Sequence, residues 1–140
     1  MKYYMVGIKG AGMSALALLL SDLGYNIVGY DDAKDHRFTE DKLLERGIKI
    51  YTGPNQEMDS ETVVIYSSAL KLNEHPELIK AQEMNLKIYE YQEMLGRLTK
   101  KYKTICISGC HGKTTTTALM SHIIDTMFGC NYLIGDGVGH

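Results

Sequence analysis

Several things are scarce in this chain, and each scarcity narrows what it can be. Only three of its 140 residues are cysteine. Cys106, Cys110 and Cys130 form no metal-ligand pattern, so a reduced, cytosolic protein is the simplest account. No long basic run occurs, and 15 basic against 17 acidic residues leave a formal charge of -2. A nucleic-acid surface is therefore disfavoured, while anion binding at one local site stays open. The longest apolar run, Ala15 to Leu20, falls far short of a membrane span and is followed by Ser21 and Asp22. The glycine-rich segment Gly7 to Gly12 interrupts the N-terminus where a secretion signal would need its hydrophobic region. These absences lead to the expectation of a soluble, cytoplasmic protein without a nucleic-acid or membrane partner; they assign no oligomeric state.

What is present centres on Lys103 to Met127, KTICISGCHGKTTTTALMSHIIDTM. Thr104 to Ile107 reads as a buried parallel strand and Lys113 onward as a helix, which makes Ser108 to Gly112 the turn between them. Such a turn aims backbone N-H groups at whatever sits over it. Lys113 adds a positive charge, the helix its positive dipole end, and Thr114 a hydroxyl suited to a magnesium ion. The expected occupant is a nucleotide triphosphate. The standard P-loop has four residues between its first glycine and the Gly-Lys pair. Here only Cys110 and His111 separate Gly109 from Gly112 and Lys113, so the generic pattern is shortened while its physical requirements survive. The plain alternative is an ordinary strand-turn-helix junction whose lysine is a solvated cap, but a cation at a helix N-terminus opposes the dipole and calls for an anion.

The chain as a whole is 44% hydrophobic, ample for a core. Tyr3 to Ile8 is expected as a strand, Gly7, Gly10 and Gly12 as the turn after it, and Met13 to Leu23 as an apolar helix ended by Gly24. Asn26 to Tyr30 then completes a βαβ unit closed by Asp31 and Asp32. The dinucleotide fingerprint wants glycine where Lys9 stands, which counts against a redox dinucleotide and a dehydrogenase. Lys9 instead is expected to bring a cation to the mouth of the turn, favouring another diphosphate-bearing ligand such as a nucleotide-linked substrate. In the alternative, Lys9 is solvated and the turn binds nothing. Asp31 or Asp32 suits a ribose or base edge, or simply forms the turn.

Thr39 to Arg46 reads as a short helix with Thr39 as its cap, Ile48 to Tyr51 as a third strand, Thr52 to Ser60 as loop, and Thr62 to Tyr66 as a fourth strand. The fourth delivers Ser67 and Ser68 to the ligand edge of the sheet, where they touch substrate or cap the next helix. Glu74 to Gln82 is that helix, with Pro76 in its first turn. Leu86 to Tyr89 is a fifth strand and Glu90 to Leu98 a helix. Thr99 to Lys103 is the expected linker between a Rossmann-like domain over 1–98 and an incomplete nucleotide-binding unit over 104–140. Asn131 to Ile134 is expected as one more strand, and Gly135 to His140 as a further glycine-rich turn. A strand-helix-strand piece is too small to cover a sheet, so the expectation is that the sequence is cut from a longer protein.

GIKGAGMSALA (Gly7 to Ala17) and SGCHGKTTTT (Ser108 to Thr117) together resemble the Mur ligases of peptidoglycan synthesis. YSSAL (Tyr66 to Leu70), NEHPEL (Asn73 to Leu78), YQEML (Tyr91 to Leu95) and LIGDGVGH (Leu133 to His140) are similar to that family's segments in the same order. The resemblance implies a Rossmann-like domain for the UDP moiety, a central ATPase domain of which only the strand-P-loop-helix-strand opening is here, and an absent amino-acid domain. It places Gly10, Ala11, Gly12 and Met13 at the diphosphate with Lys9 beside them, and Ser67 and Ser68 near the substrate, where the strand-end position of Asp31 also puts that carboxylate. It assigns Gly109, Cys110, His111, Gly112, Lys113, Thr114 and Thr115 to ATP, with Lys113 catalytic and Thr114 on Mg2+. Two departures stand out: Cys110 where threonine or alanine is common, and Tyr91 where many members carry arginine.

The implied reaction is ATP-dependent joining of UDP-N-acetylmuramate to L-alanine through an acyl phosphate, because a carboxylate has no usable leaving group until it is activated. The present chain alone is expected to lack ligase turnover. A UDP-sugar-binding module without catalysis, and the related ligase that attaches a preformed murein peptide, are the alternatives.

Overall fold

The structure is a computed structural model that describes residues 1–53 and 57–134. Strand β1 (Lys2–Val6) is buried beyond its first residue and lies at the middle of a sheet. β2 (Asn26–Tyr30) and β4 (Thr62–Tyr66) flank it, while β3 (Lys49–Tyr51) and β5 (Lys87–Glu90) form the edges. All four pairings are parallel, in the order β3-β2-β1-β4-β5. The expected five-stranded Rossmann-like sheet is thus present, and its inner strands read as continuous apolar runs because both faces are covered.

The two-residue alternation of β1 sorts its side chains between two cores. Tyr3 and Met5 point to one face with Ile27, Val63 and Ile65, where α1 (Ala11–Asp22), α2 (Phe38–Glu45) and α4 (Tyr91–Lys101) supply Leu16, Ala17, Leu20, Leu43, Met94 and Leu98. Tyr4 and Val6 point to the other face with Val28 and Val64, under Leu78 and Ala81 of α3 (Pro76–Glu83). Gly29 faces the first core, where a Cβ would stand 2.6 Å from Ile8 Cδ1. A side chain there would drive the first turn off the sheet.

Pro76 sits at the start of α3, as expected, where its missing N-H costs nothing. The cap is neither Ser67 nor Ser68 but His75, whose Nδ1 accepts the Glu77 N-H at 3.2 Å. Thr39 does not cap α2 either. Arg37 occupies that position without a side-chain cap, and the Thr39 hydroxyl donates instead to the Lys9 carbonyl. α4 continues through Lys101, so most of the segment expected as a linker is helical. Buried Leu98 holds the last turns down, and Lys100 and Lys101 suit the negative dipole end.

Beyond α4 the expectations are met only in part. α5 (Lys113–Phe128) forms as expected. The strands expected over 104–107 and 131–134 do not, and among the described residues neither segment joins the sheet. Strand preference measures how well a side chain fits a half-buried pleated surface, and no such surface is offered at 104–107, where Ile105 is 65% exposed. Leu133 and Ile134 pack without a ladder, Leu133 against the core beneath α1. The turn expected over Gly135 to His140 lies outside the described residues.

Candidate functional site

Parallel pairing places the last residues of the inner strands in one row: Tyr30, Val6, Tyr66 and Glu90 are in register across β2, β1, β4 and β5. The residues that follow them, Asp31, Gly7, Ser67 and Tyr91, therefore share the C-terminal edge, where open α/β sheets take their ligands.

Gly7 starts the turn with φ +81°, and a Cβ on it would lie 3.0 Å from Ser67 Cβ. Its N-H donates to the Tyr30 carbonyl at 2.7 Å, and the Gly10 N-H donates back to the Gly7 carbonyl at 3.2 Å. Gly10 is the N-cap of α1 and carries no side chain to satisfy the helix. The Ser14 N-H reaches the Gly10 carbonyl at 2.8 Å, so the first-turn N-H groups of Ala11, Gly12 and Met13 precede the intrahelical ladder. Three donors outside that ladder stand at the positive end of a 12-residue helix, a cradle whose chemistry suits an anion. Gly12 lies under the phenol of Tyr91, whose Cζ and Oη would each stand 3.0 Å from an added Cβ. Burial raises the Tyr91 pKa, keeping the hydroxyl a neutral donor beside the cradle.

Lys9 is not where the sequence places it. It is 2% exposed, neither presented at the mouth nor solvated. Its ammonium meets Glu40 at 2.8 Å and donates to the carbonyls of Ala33 at 3.0 Å and Asp35 at 3.4 Å. The contact with Glu40 has an ion pair's distance without a directed hydrogen bond's angles, and Lys9 holds the Glu40 carboxyl below its usual range. Asp31 is equally occupied, one carboxylate oxygen accepting the Lys9 N-H at 2.9 Å and the other the Ala33 N-H at 3.0 Å. It serves as the turn former. Asp32 is the exposed member of the pair, held by Tyr30 at 2.9 Å and His75 at 3.0 Å. Ser67 is half-buried beside Gly7, with Ser68 exposed next to it.

The second turn is barely supported. Gly112 caps α5 with φ +77°, nothing stands within 4 Å of an added Cβ, and Lys113 Nζ folds back onto the Gly109 carbonyl at 2.8 Å. Gly109, Cys110, His111, Lys113, Thr114 and Thr115 are all exposed. The donors fit a polyphosphate chemically: an ammonium, a threonine hydroxyl and first-turn N-H groups. Among the described residues no cluster of three or more His, Cys, Asp or Glu side chains could hold a metal. Sequence reasoning missed the roles of Thr39 and Glu40, which act on the first turn from 30 and 31 positions away from Lys9 and leave no local signal.

A parallel sheet covered by helices, with a glycine-rich turn and a helix N-terminus after its first strand, defines a Rossmann-like α/β domain. Comparison makes the class specific: a model of the Mur ligase family, catalytic domain, matches residues 2–103, and the chain belongs to that family. It is 44% identical over 137 residues to the UDP-N-acetylmuramate--L-alanine ligase of Pediococcus pentosaceus, covering 98% of this chain and 31% of that protein. The enzyme of the same name from Lactiplantibacillus plantarum is 43% identical over the same length. Among solved structures, the UDP-N-acetylmuramate-alanine ligase of Thermotoga maritima superposes with a TM-score of 0.78 at 27% identity, over 98% of this chain and 35% of that one. A murein peptide ligase from Psychrobacter arcticus gives 0.72 at 26% identity, over 89% of this chain and 26% of that one. The chain thus spans about a third of the length of the curated relatives it matches.

Proposed function

We propose that this chain supplies the uridine-nucleotide-binding sheet and the phosphate-binding turn of an ATP-dependent ligase joining UDP-N-acetylmuramate to L-alanine. The observation that carries the reading is the α1 cradle at the sheet's C-terminal edge, in a chain 44% identical to a ligase of that name. In this reading Ala11, Gly12 and Met13 hold the diphosphate through backbone N-H groups beside Gly10, the N-cap, and Ser67 and Ser68 lie along the substrate. Gly109 to Thr115 hold ATP, with Lys113 neutralising the transferred phosphoryl oxygens and Thr114 on Mg2+. Magnesium bound there would further offset phosphate charge. The substrate carboxylate oxygen takes the γ-phosphoryl group, ADP leaves, and the alanine nitrogen then displaces phosphate from the acyl carbon. The reaction would take place in the cytoplasm.

Calorimetric titration of the chain with UDP-N-acetylmuramate and, separately, with ATP tests the reading. Saturable binding of the sugar nucleotide is expected; its absence would remove the proposal. A second reading, a sugar-nucleotide-binding module without catalysis, is favoured by the contrast between the anchored first turn and the exposed second one. It predicts sugar-nucleotide binding with no ATP response in a chain extended to the length of its relatives. The murein peptide ligase is the third reading, and amine selectivity of that longer protein separates it from the first.

A further inference from the structure

Lys9 gathers contacts from three separate pieces of chain, and none faces outward. Its N-H donates to Asp31 at the end of β2 at 2.9 Å, and its carbonyl accepts from Thr39 of α2 at 2.8 Å. The ammonium is enclosed by an ion pair with Glu40, on the same turn of α2, and donates to the Ala33 and Asp35 carbonyls of the loop between. With 2% of the residue exposed there is no path by which a phosphate could reach the ammonium. The next residue is Gly10, the N-cap from which the α1 cradle begins. Both peptide planes around Lys9 are thus fixed by side chains from elsewhere, and the direction in which the N-H groups of Ala11, Gly12 and Met13 leave the turn follows from them.

We propose that Lys9 is a positioning residue: the Lys9–Glu40 pair, with Thr39 and Asp31, clamps the glycine-rich turn to the 31–40 segment and sets the affinity of the α1 cradle for a diphosphate without touching it. The proposal deepens the substrate reading above and rests on it. It also accounts for a lysine at a position where the dinucleotide pattern wants glycine. The glycine there lets backbone approach a pyrophosphate, whereas here the side chain turns inward and works from below.

The test is calorimetric titration of UDP-N-acetylmuramate into the unaltered chain, Glu40→Gln, Lys9→Met and the double variant, with thermal melting of each followed by circular dichroism. Both single variants are expected to weaken binding about tenfold, and the double no more than the weaker single, because the two residues act as one unit. If the ammonium instead contacted ligand, Glu40→Gln would release it and preserve or tighten binding, which overturns the clamp. Weaker melting with unchanged affinity overturns it too, since the role would then be purely structural. Should the charge variants fail to fold, Thr39→Val removes only the hydroxyl on the Lys9 carbonyl. A roughly threefold loss of affinity is expected from this single neutral hydrogen bond, and none would overturn the proposal. Absence of binding by the unaltered chain would overturn the substrate reading and the clamp with it, whereas binding shared equally by all variants overturns the clamp alone.

Discussion

The two glycine-rich turns of this chain are made of similar residues and differ in what lies beneath them. Gly7 to Gly12 follows the central strand of a sheet, is hydrogen-bonded to β2, and is clamped through Lys9 from α2. Ser108 to Gly112 follows an extended segment with no ladder partner among the described residues, and its one side-chain tie is Lys113 to the Gly109 carbonyl. The first turn has one geometry because a sheet dictates where it starts and a neighbouring helix dictates where it goes. The second keeps only the conformation its own glycines and the start of α5 allow. A well-anchored glycine-rich turn is therefore a property of the layer under it, and glycine spacing alone does not build one.

The contrast breaks most directly on the supporting cores. Leu16 is fully buried between α1 and the sheet, whereas Ile123 of α5 is 54% exposed. Leu16→Ala should cost about 2–5 kcal/mol in urea unfolding, as deletion of buried methyl groups generally does. Ile123→Ala should stay within about 0.5 kcal/mol. A large effect of Ile123→Ala would mean that α5 is held as firmly as α1, and the distinction between the two regions would fall.

A smaller effect sharpens the same comparison at the glycines themselves. Gly7 and Gly112 both have φ near +80°, so alanine meets backbone strain at either, of about 1 kcal/mol. At Gly7 the new Cβ also meets Ser67 Cβ at 3.0 Å, while at Gly112 nothing stands within 4 Å. Gly7→Ala should therefore lower the unfolding free energy by at least about 2 kcal/mol, strain and overpacking together. Gly112→Ala should lower it by no more than about 1 kcal/mol. Equal losses would show that the packing around Gly7 yields freely.

Much of this was legible from local pattern. The strands at Asn26–Tyr30 and Thr62–Tyr66 read to the residue, because continuous apolar runs bounded by turns have one plausible use in an α/β chain. Thr104 to Ile107 has the same composition and forms no strand, since a ladder needs a neighbour and composition does not say whether one is offered. The glycine turn was legible from spacing as the link between β1 and the first helix at the sheet's edge. Lys9 was not legible as its anchor, because charge suggests solvent unless the partner is known, and Glu40 lies 31 positions away behind a loop. Thr39 failed as a cap for the same reason: its hydroxyl had a better acceptor in the Lys9 carbonyl, visible only once α2 packs beside the turn.

The smallest expected effect concerns a third loop, the approach to β4, which is tied down by side chains at the opposite end of the sheet from the cradle. The Asp59 carboxylate takes the Lys2 ammonium at 2.9 Å, the Thr62 hydroxyl at 2.8 Å and the Glu61 N-H at 3.1 Å, while the Asp59 N-H donates back to the Thr62 hydroxyl at 3.0 Å. Lys2 first, then Thr62, draw the Asp59 pKa down to about 2. A carboxyl with a depressed folded-state pKa stabilises above its unfolded value, near 3.8, and that contribution disappears as pH falls toward about 2. Asp59→Asn should accordingly melt below the unaltered chain at neutral pH, by a margin of a few degrees at most given how exposed the carboxylate is. The gap should close between pH 4 and pH 2, where the aspartate itself takes up its proton. A gap constant over that range would mean that the loop is held by the Asp59 backbone N-H and not by its charge, leaving the Thr62 hydroxyl as the tie.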